Sequence, residues 1–103
     1  MTYRVIVTDR ADEQLDNIIQ YILTQYKNKD TARGILDDVL RAYEKLEYMG
    51  GSMPLCSDPY LAEKGYHKIN LENHHYLLLY QIDNDSVIVS GIFHMLEDYQ
   101  NKL

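Results

Sequence analysis

Apolar positions along the chain follow two rhythms. Tyr3–Val7 (YRVIV) is a short, β-branched, apolar run and reads as a strand. After it the spacing changes to steps of three and four. Ala11, Leu15, Ile18, Ile19, Ile22 and Leu23 form one stripe, and Gln14, Asp16, Asn17 and Gln20 cover the other face. This predicts a helix to about Tyr26, capped by Thr8 or Asp9, with Asp12 and Glu13 in the first turn where the helix dipole favours negative charge. Lys27-Asn28-Lys29 is a polar connector, and Asp30 or Thr31 caps a second helix that runs to about Tyr48. Its inward positions are Ala32, Ile35, Leu36, Val39, Tyr43 and Leu46, while Asp37-Asp38, Glu44 and Glu47 read as a solvated face. Gly34 inside this helix costs ~1 kcal/mol relative to alanine, and close approach to the first helix is the expected reason. So short a connector predicts an antiparallel helical hairpin.

Met49 to about Gly65 is irregular. Gly50-Gly51 ends the second helix, Pro54 and Pro59 resist regular structure, and Met53, Leu55, Tyr60 and Leu61 are expected to lie over the core. Beyond it the rhythm falls to two. Tyr66–Leu71 alternates weakly and is cut off by Glu72-Asn73-His74. Tyr76–Ile82 and Val87–Phe93 then flank Asp83-Asn84-Asp85, the mark of a tight hairpin. These runs predict a three-stranded antiparallel meander, and Met95–Leu103 is a polar tail with one helical turn. The order is β-α-α-β-β-β. The expected class is α+β: one domain over residues 1–103, with a small antiparallel sheet against an N-terminal helical hairpin. One face of such a sheet is expected to stay partly open, as a place for a partner.

Composition narrows the function classes. A chain of 103 residues buries roughly 65% of its unfolded surface, enough for one core. Ten tyrosines with one Phe and no Trp supply rings with a polar end, suited to a half-buried sheet or a contact surface. Tyr21, Tyr26, Tyr43 and Tyr48 are expected to serve helix packing. The net charge is −6; residues 50–103 carry three basic and seven acidic groups. That balance excludes a broad phosphate-binding face. Cys56 stands alone, so no intrachain disulfide or cysteine-based metal knuckle forms. The histidines lack cysteine or carboxylate partners at ligand spacing, so neither a metal nor another cofactor is expected. Met1–Asp9 lacks the pattern of a signal peptide and no apolar run approaches ~18 residues. The expected location is the cytoplasm.

In order and spacing the chain resembles the RelE/ParE superfamily, the toxins of bacterial type II toxin–antitoxin modules, also called plasmid stabilisation proteins. The resemblance rests on Tyr3–Val7 leading to Ala11 and Leu15, on Ile18, Ile19, Tyr21 and Ile22, and on Ala32, Leu46 and the Pro54 loop. It continues through Gly65-Tyr66, Tyr76-Leu77-Leu78-Leu79-Tyr80, and Ile88–His94 with the Asp98-Tyr99 tail. It implies a toxin silenced by a small antitoxin whose C-terminal segment wraps it. The complex would be a toxin–antitoxin hetero-oligomer, with a homodimer as the alternative assembly. The target stays open: DNA gyrase, inhibited without catalysis as by ParE-like members, or a target outside the known ones, or a toxin whose activity has decayed; the alternative is ribosome-bound mRNA, cut as by RelE-like members. Family members usually carry an arginine on the second meander strand and often a basic residue after the last strand. Here those places read His67-Lys68 and Met95-Leu96, and no arginine follows Arg41.

Cleavage through a 2′-hydroxyl needs a base, an acid and positive charge at the phosphorane. The candidate catalytic set is His94 as base or acid, Lys68 for phosphate, and Tyr99 or His67 as a second proton-transfer group or stacking surface. The family match carries His94 and Tyr99; His67 and Lys68 enter as replacements for the arginine. His74-His75 reads as a turn.

Overall fold

The computed structural model describes residues 2–102; Met1 and Leu103, the last residue of the expected tail, lie outside them. Strand β1 (Arg4–Val7) leads into helix α1 (Asp9–Tyr21), which a π-helical turn, Ile22–Tyr26, continues. Thr8 caps α1 by accepting from the Ala11 N–H at 3.2 Å. Helix α2 (Lys29–Met49) is capped by Asn28, whose side chain accepts from Thr31 N at 3.0 Å. A 3₁₀ turn (Gly50–Ser52) and a short helix α3 (Pro59–Glu63) follow. Strands β2 (His67–Asn70), β3 (Tyr76–Asp83) and β4 (Ser86–His94) form the meander, and a 3₁₀ turn spans Tyr99–Asn101.

The element order and the α+β class are those the sequence predicts. The meander is antiparallel, but β1 joins β4 in parallel, so the sheet is mixed with strand order β1-β4-β3-β2. Helix α3 lies where the loop was expected to be irregular. Pro59 promotes it rather than opposing it: proline lacks only an N–H that the first helical turn leaves unpaired anyway, and Asp58 caps that turn at Leu61 N.

Core packing occupies both faces of the sheet. On one side Ala11 and Leu15 of α1 and Ile35, Val39, Ala42 and Leu46 of α2 meet Ile69, Leu78, Tyr80, Val87, Val89 and Ile92. On the other, Leu77, Leu79 and Phe93 pack with Cys56 and Leu61, and Tyr66, Met95 and Tyr99 lean on them. The loop and the tail thus close much of the face expected to be open. This is why YLLLY in β3 does not alternate: Leu77, Leu78, Leu79 and Tyr80 are all buried. The inward stripe of α2 is also turned from its expected setting. Leu36 is half-exposed, and Asp38, expected in solvent, is buried at 2% exposure.

Candidate functional site

At the end of β4 the chain turns back on itself around His94. The His94 N–H donates to Glu97 Oε1 at 2.9 Å, and the Glu97 N–H donates to the His94 carbonyl at 2.9 Å. The Leu96 N–H donates to His94 Nδ1 at 3.1 Å. A backbone N–H can only donate, so Nδ1 is the acceptor and the neutral ring carries its proton on Nε2. The imidazole stands edge-on to Tyr76, its partner in register, with ring centroids 5.2 Å apart. Beside it opens a cleft of about 500 Å³ lined by His75, His94, Met95 and Leu96. Burial pushes the Glu97 carboxyl up, but hydrogen bonds from Lys102 and the His94 N–H outweigh it and hold Glu97 below the usual range.

The other predicted site residues lie elsewhere. Lys68 pairs in register with Leu79, on the face away from the helices. Tyr99 packs on that same face, its ring 6.0 Å from Phe93. His94 and Tyr76 belong to the helix side. His67 is on the helix side too, but opposite Tyr80. Its ring stacks on Tyr80 at 5.1 Å and its Nδ1–H donates to the Met53 carbonyl at 2.9 Å. The Tyr80 hydroxyl donates to the Gly50 carbonyl at 2.7 Å. His67 and Tyr80 therefore fasten the segment after α2 to the sheet. The four residues do not converge on one point. Among the described residues no group of three or more His, Cys, Asp or Glu could hold a metal ion.

Asp38 is the residue that sequence reasoning missed. Its Oδ2 accepts from the Asn73 N–H at 2.9 Å and from His74 Nδ1 at 2.6 Å; its Oδ1 accepts from Asn73 Nδ2 at 2.9 Å and Arg41 at 2.7 Å. Burial alone would push this carboxyl up, yet the hydrogen bonds from His74, Arg41 and Asn73 together hold it well below the usual carboxylate range. The clamp fixes the β2–β3 turn against α2, and the next residue of that turn, His75, lines the cleft. Gly34 makes room for it. A Cβ there would lie 3.2 Å from the His74 ring, so this glycine serves the turn and not, as expected, the approach of α1. A signal existed: Asp38 falls on the stripe Ile35, Val39, Ala42, Leu46, three residues after one member and four before another.

A helical hairpin laid on a four-stranded mixed sheet, with a histidine-bearing turn closing its last strand, defines a RelE/ParE-like α+β domain. Two solved structures share the fold. The chromosomal ParDE toxin–antitoxin system of P. aeruginosa matches with a TM-score of 0.71 at 14% identity, covering 90% of this chain and 96% of that one. A conserved hypothetical protein of Helicobacter pylori, solved in solution, matches with a TM-score of 0.59 at 13% identity, covering 94% and 98%. Comparison with curated protein sequences finds no match. The family model for the ParE toxin of the type II toxin–antitoxin system, parDE, matches residues 5–99. The chain belongs to the ParE toxin family.

Proposed function

We propose that this toxin arrests growth by binding and not by cutting RNA, with DNA gyrase as its target and a small antitoxin as its silencing partner in the cytoplasm. The observation that carries this reading is the state of His94. A general base must present a free lone pair, and the Nδ1 lone pair is taken by the Leu96 N–H, while Nε2 carries the proton. Lys68 and Tyr99 sit across the sheet from it, so base, acid and cation do not meet at one phosphate. An imidazole in this state is a hydrogen-bond donor on the wall of a cleft, suited to contact with a protein. The antitoxin would also cover Leu36 and Leu40, one turn apart on α2 and 39% and 57% exposed.

The test is induced expression of this chain alone, with growth, mRNA integrity and gyrase-dependent DNA breaks followed together. Arrest with intact mRNA and DNA breaks is expected. Co-expression of an adjacent small open reading frame should relieve it. In parallel, His94→Asn places an amide oxygen where Nδ1 accepts, so the turn is kept while proton transfer is abolished. The arrest should survive it, weakened by no more than the one hydrogen bond that Nε2–H donates. mRNA cut at codon-spaced positions, lost in His94→Asn, would replace gyrase poisoning with the ribosome-dependent nuclease.

A further inference from the structure

The π-helical turn at the end of α1 has a chemical consequence. Around a regular α-helix, residues five apart point about 140° away from each other. The wider turn of Ile22–Tyr26, with its longer hydrogen-bond step, lets Tyr21 and Tyr26 meet. Their rings stand edge to face, 5.6 Å between centroids and 75° between planes. Both were expected to pack the helices; instead they are 55% and 65% exposed. Lys27 follows with a left-handed backbone, φ 51°, and ends the element there.

We propose that Tyr21 and Tyr26, with Tyr76 and His94 behind them, form a docking surface for an arginine-bearing basic segment of a protein partner. Tyr76 borders both groups: it stacks edge-on with His94, and it lies near enough to the exposed pair for Tyr26 to affect its ionisation. The phenol of Tyr21 is pushed up, first by the hydroxyl of Tyr26 beside it. Neutral phenol rings offer a negative π face to a cation, and a flat guanidinium suits it best. Among the described residues the cation–π contact is elsewhere, Lys64 over Tyr60 at 4.6 Å. Charge points the same way. The chain carries −6 overall; Glu97, beside Tyr76 and His94, is bridged to Lys102 at 2.7 Å. The adjoining cleft, walled by Met95 and Leu96, gives room for an apolar neighbour of the arginine. Nucleic acid fits this surface poorly, because its phosphates would meet an acidic molecule. The inference stands whether or not the chain arrests growth.

The probe is an acetylated peptide of alternating leucine and arginine, titrated into the whole chain by NMR beside its leucine–glutamate counterpart. The arginine δ-methylene signals should move upfield from ring currents, and the Tyr21 and Tyr26 ring signals should shift with them. Tyr21→Leu with Tyr26→Leu keeps apolar area but removes the π faces, and should weaken binding about fivefold or more. Tyr21→Phe with Tyr26→Phe should hold it within about twofold. Both sites are exposed, and unchanged amide spectra of β3 and β4 show that a variant is folded; Tyr26→Leu alone should weaken binding in the same direction. Equal binding of the glutamate peptide, undiminished binding by a folded leucine variant, or no ring shift at saturating peptide would each overturn the proposal.

Discussion

Among the described residues Asp38 is the charged side chain carried into the core, and its worth depends on its partners. Removing it leaves the Asn73 N–H and the His74 donor facing a hole in the core and strips half-exposed Arg41 of its partner. Asp38→Ala should cost about 3 kcal/mol, the range for breaking a buried, hydrogen-bonded charge. Urea unfolding would check this. The variant should also loosen His75 and the cleft, seen as broadened amide signals from 72 to 76. The pH dependence follows from the same bonds. The folded-state value is depressed below the unfolded one, so the stabilisation is complete above the unfolded value, near pH 4. It is lost as pH falls from there toward the folded-state value. Wild-type Tm should therefore drop steeply below pH 4, and Asp38→Ala should flatten that limb. An acid limb unchanged by the substitution would assign the loss to other carboxylates.

At the scale of elements, β4 departs from a plain strand. Val89 pairs with Tyr80 and Gly91 with Leu79, which leaves Ser90 as an extra residue, a β-bulge. The bulge lets Val87, Val89 and Ile92 all face the helices despite their broken alternation. Gln14 of α1 completes it: its side-chain oxygen accepts from the Ile92 N–H at 3.1 Å, so this residue is not merely on a solvated face. Gly91 is required for close approach. A Cβ there would lie 2.5 Å from the Phe93 ring and 3.1 Å from the Gln14 oxygen. Gly91→Ala should destabilise the fold by roughly 2 kcal/mol, as overpacking does, while Ser90→Ala should stay within about 0.5 kcal/mol. Thermal unfolding of the two variants side by side is the measurement.

For the whole molecule, the two edges of the sheet differ. The outer side of β2 is partly covered: Leu55 bridges to His67, and the Cys56 N–H donates to the Tyr66 carbonyl at 2.9 Å. Among the described residues nothing pairs with the outer side of β1 itself, and just before it the Tyr3 N–H donates to the Glu47 carbonyl of α2 at 2.6 Å. The Arg4 N–H donates to Asp85 and the Thr8 N–H to Val89, so alternate residues face β4 and the N–H groups of Val5 and Val7 face outward. Hydrogen exchange should show Val5 and Val7 exchanging fast while Leu77–Tyr80 exchange only on global opening. Slow exchange at Val5 and Val7 that vanishes on dilution would reveal self-association through this edge.

The helices, the meander and their order were legible because each rests on a local rhythm: steps of three and four for a hairpin face, two for a strand, Asp and Asn at the turn between strands. Family membership was legible in the same way, through the spacing of those elements. The candidate site was legible only at His94 and its strand end. What tertiary structure decided was everything set by meetings between distant residues. Only packing could put β1 parallel to β4, bring the loop and tail onto the second face of the sheet, and separate Lys68 and Tyr99 from His94. Asp38 shows the limit most directly. A carboxylate among apolar positions reads as a solvated residue until Asn73 and His74, thirty-five and thirty-six positions away, arrive to hydrogen-bond it. Local pattern carries the cost of burying a charge; the partners that offset the cost are known only once the chain has folded.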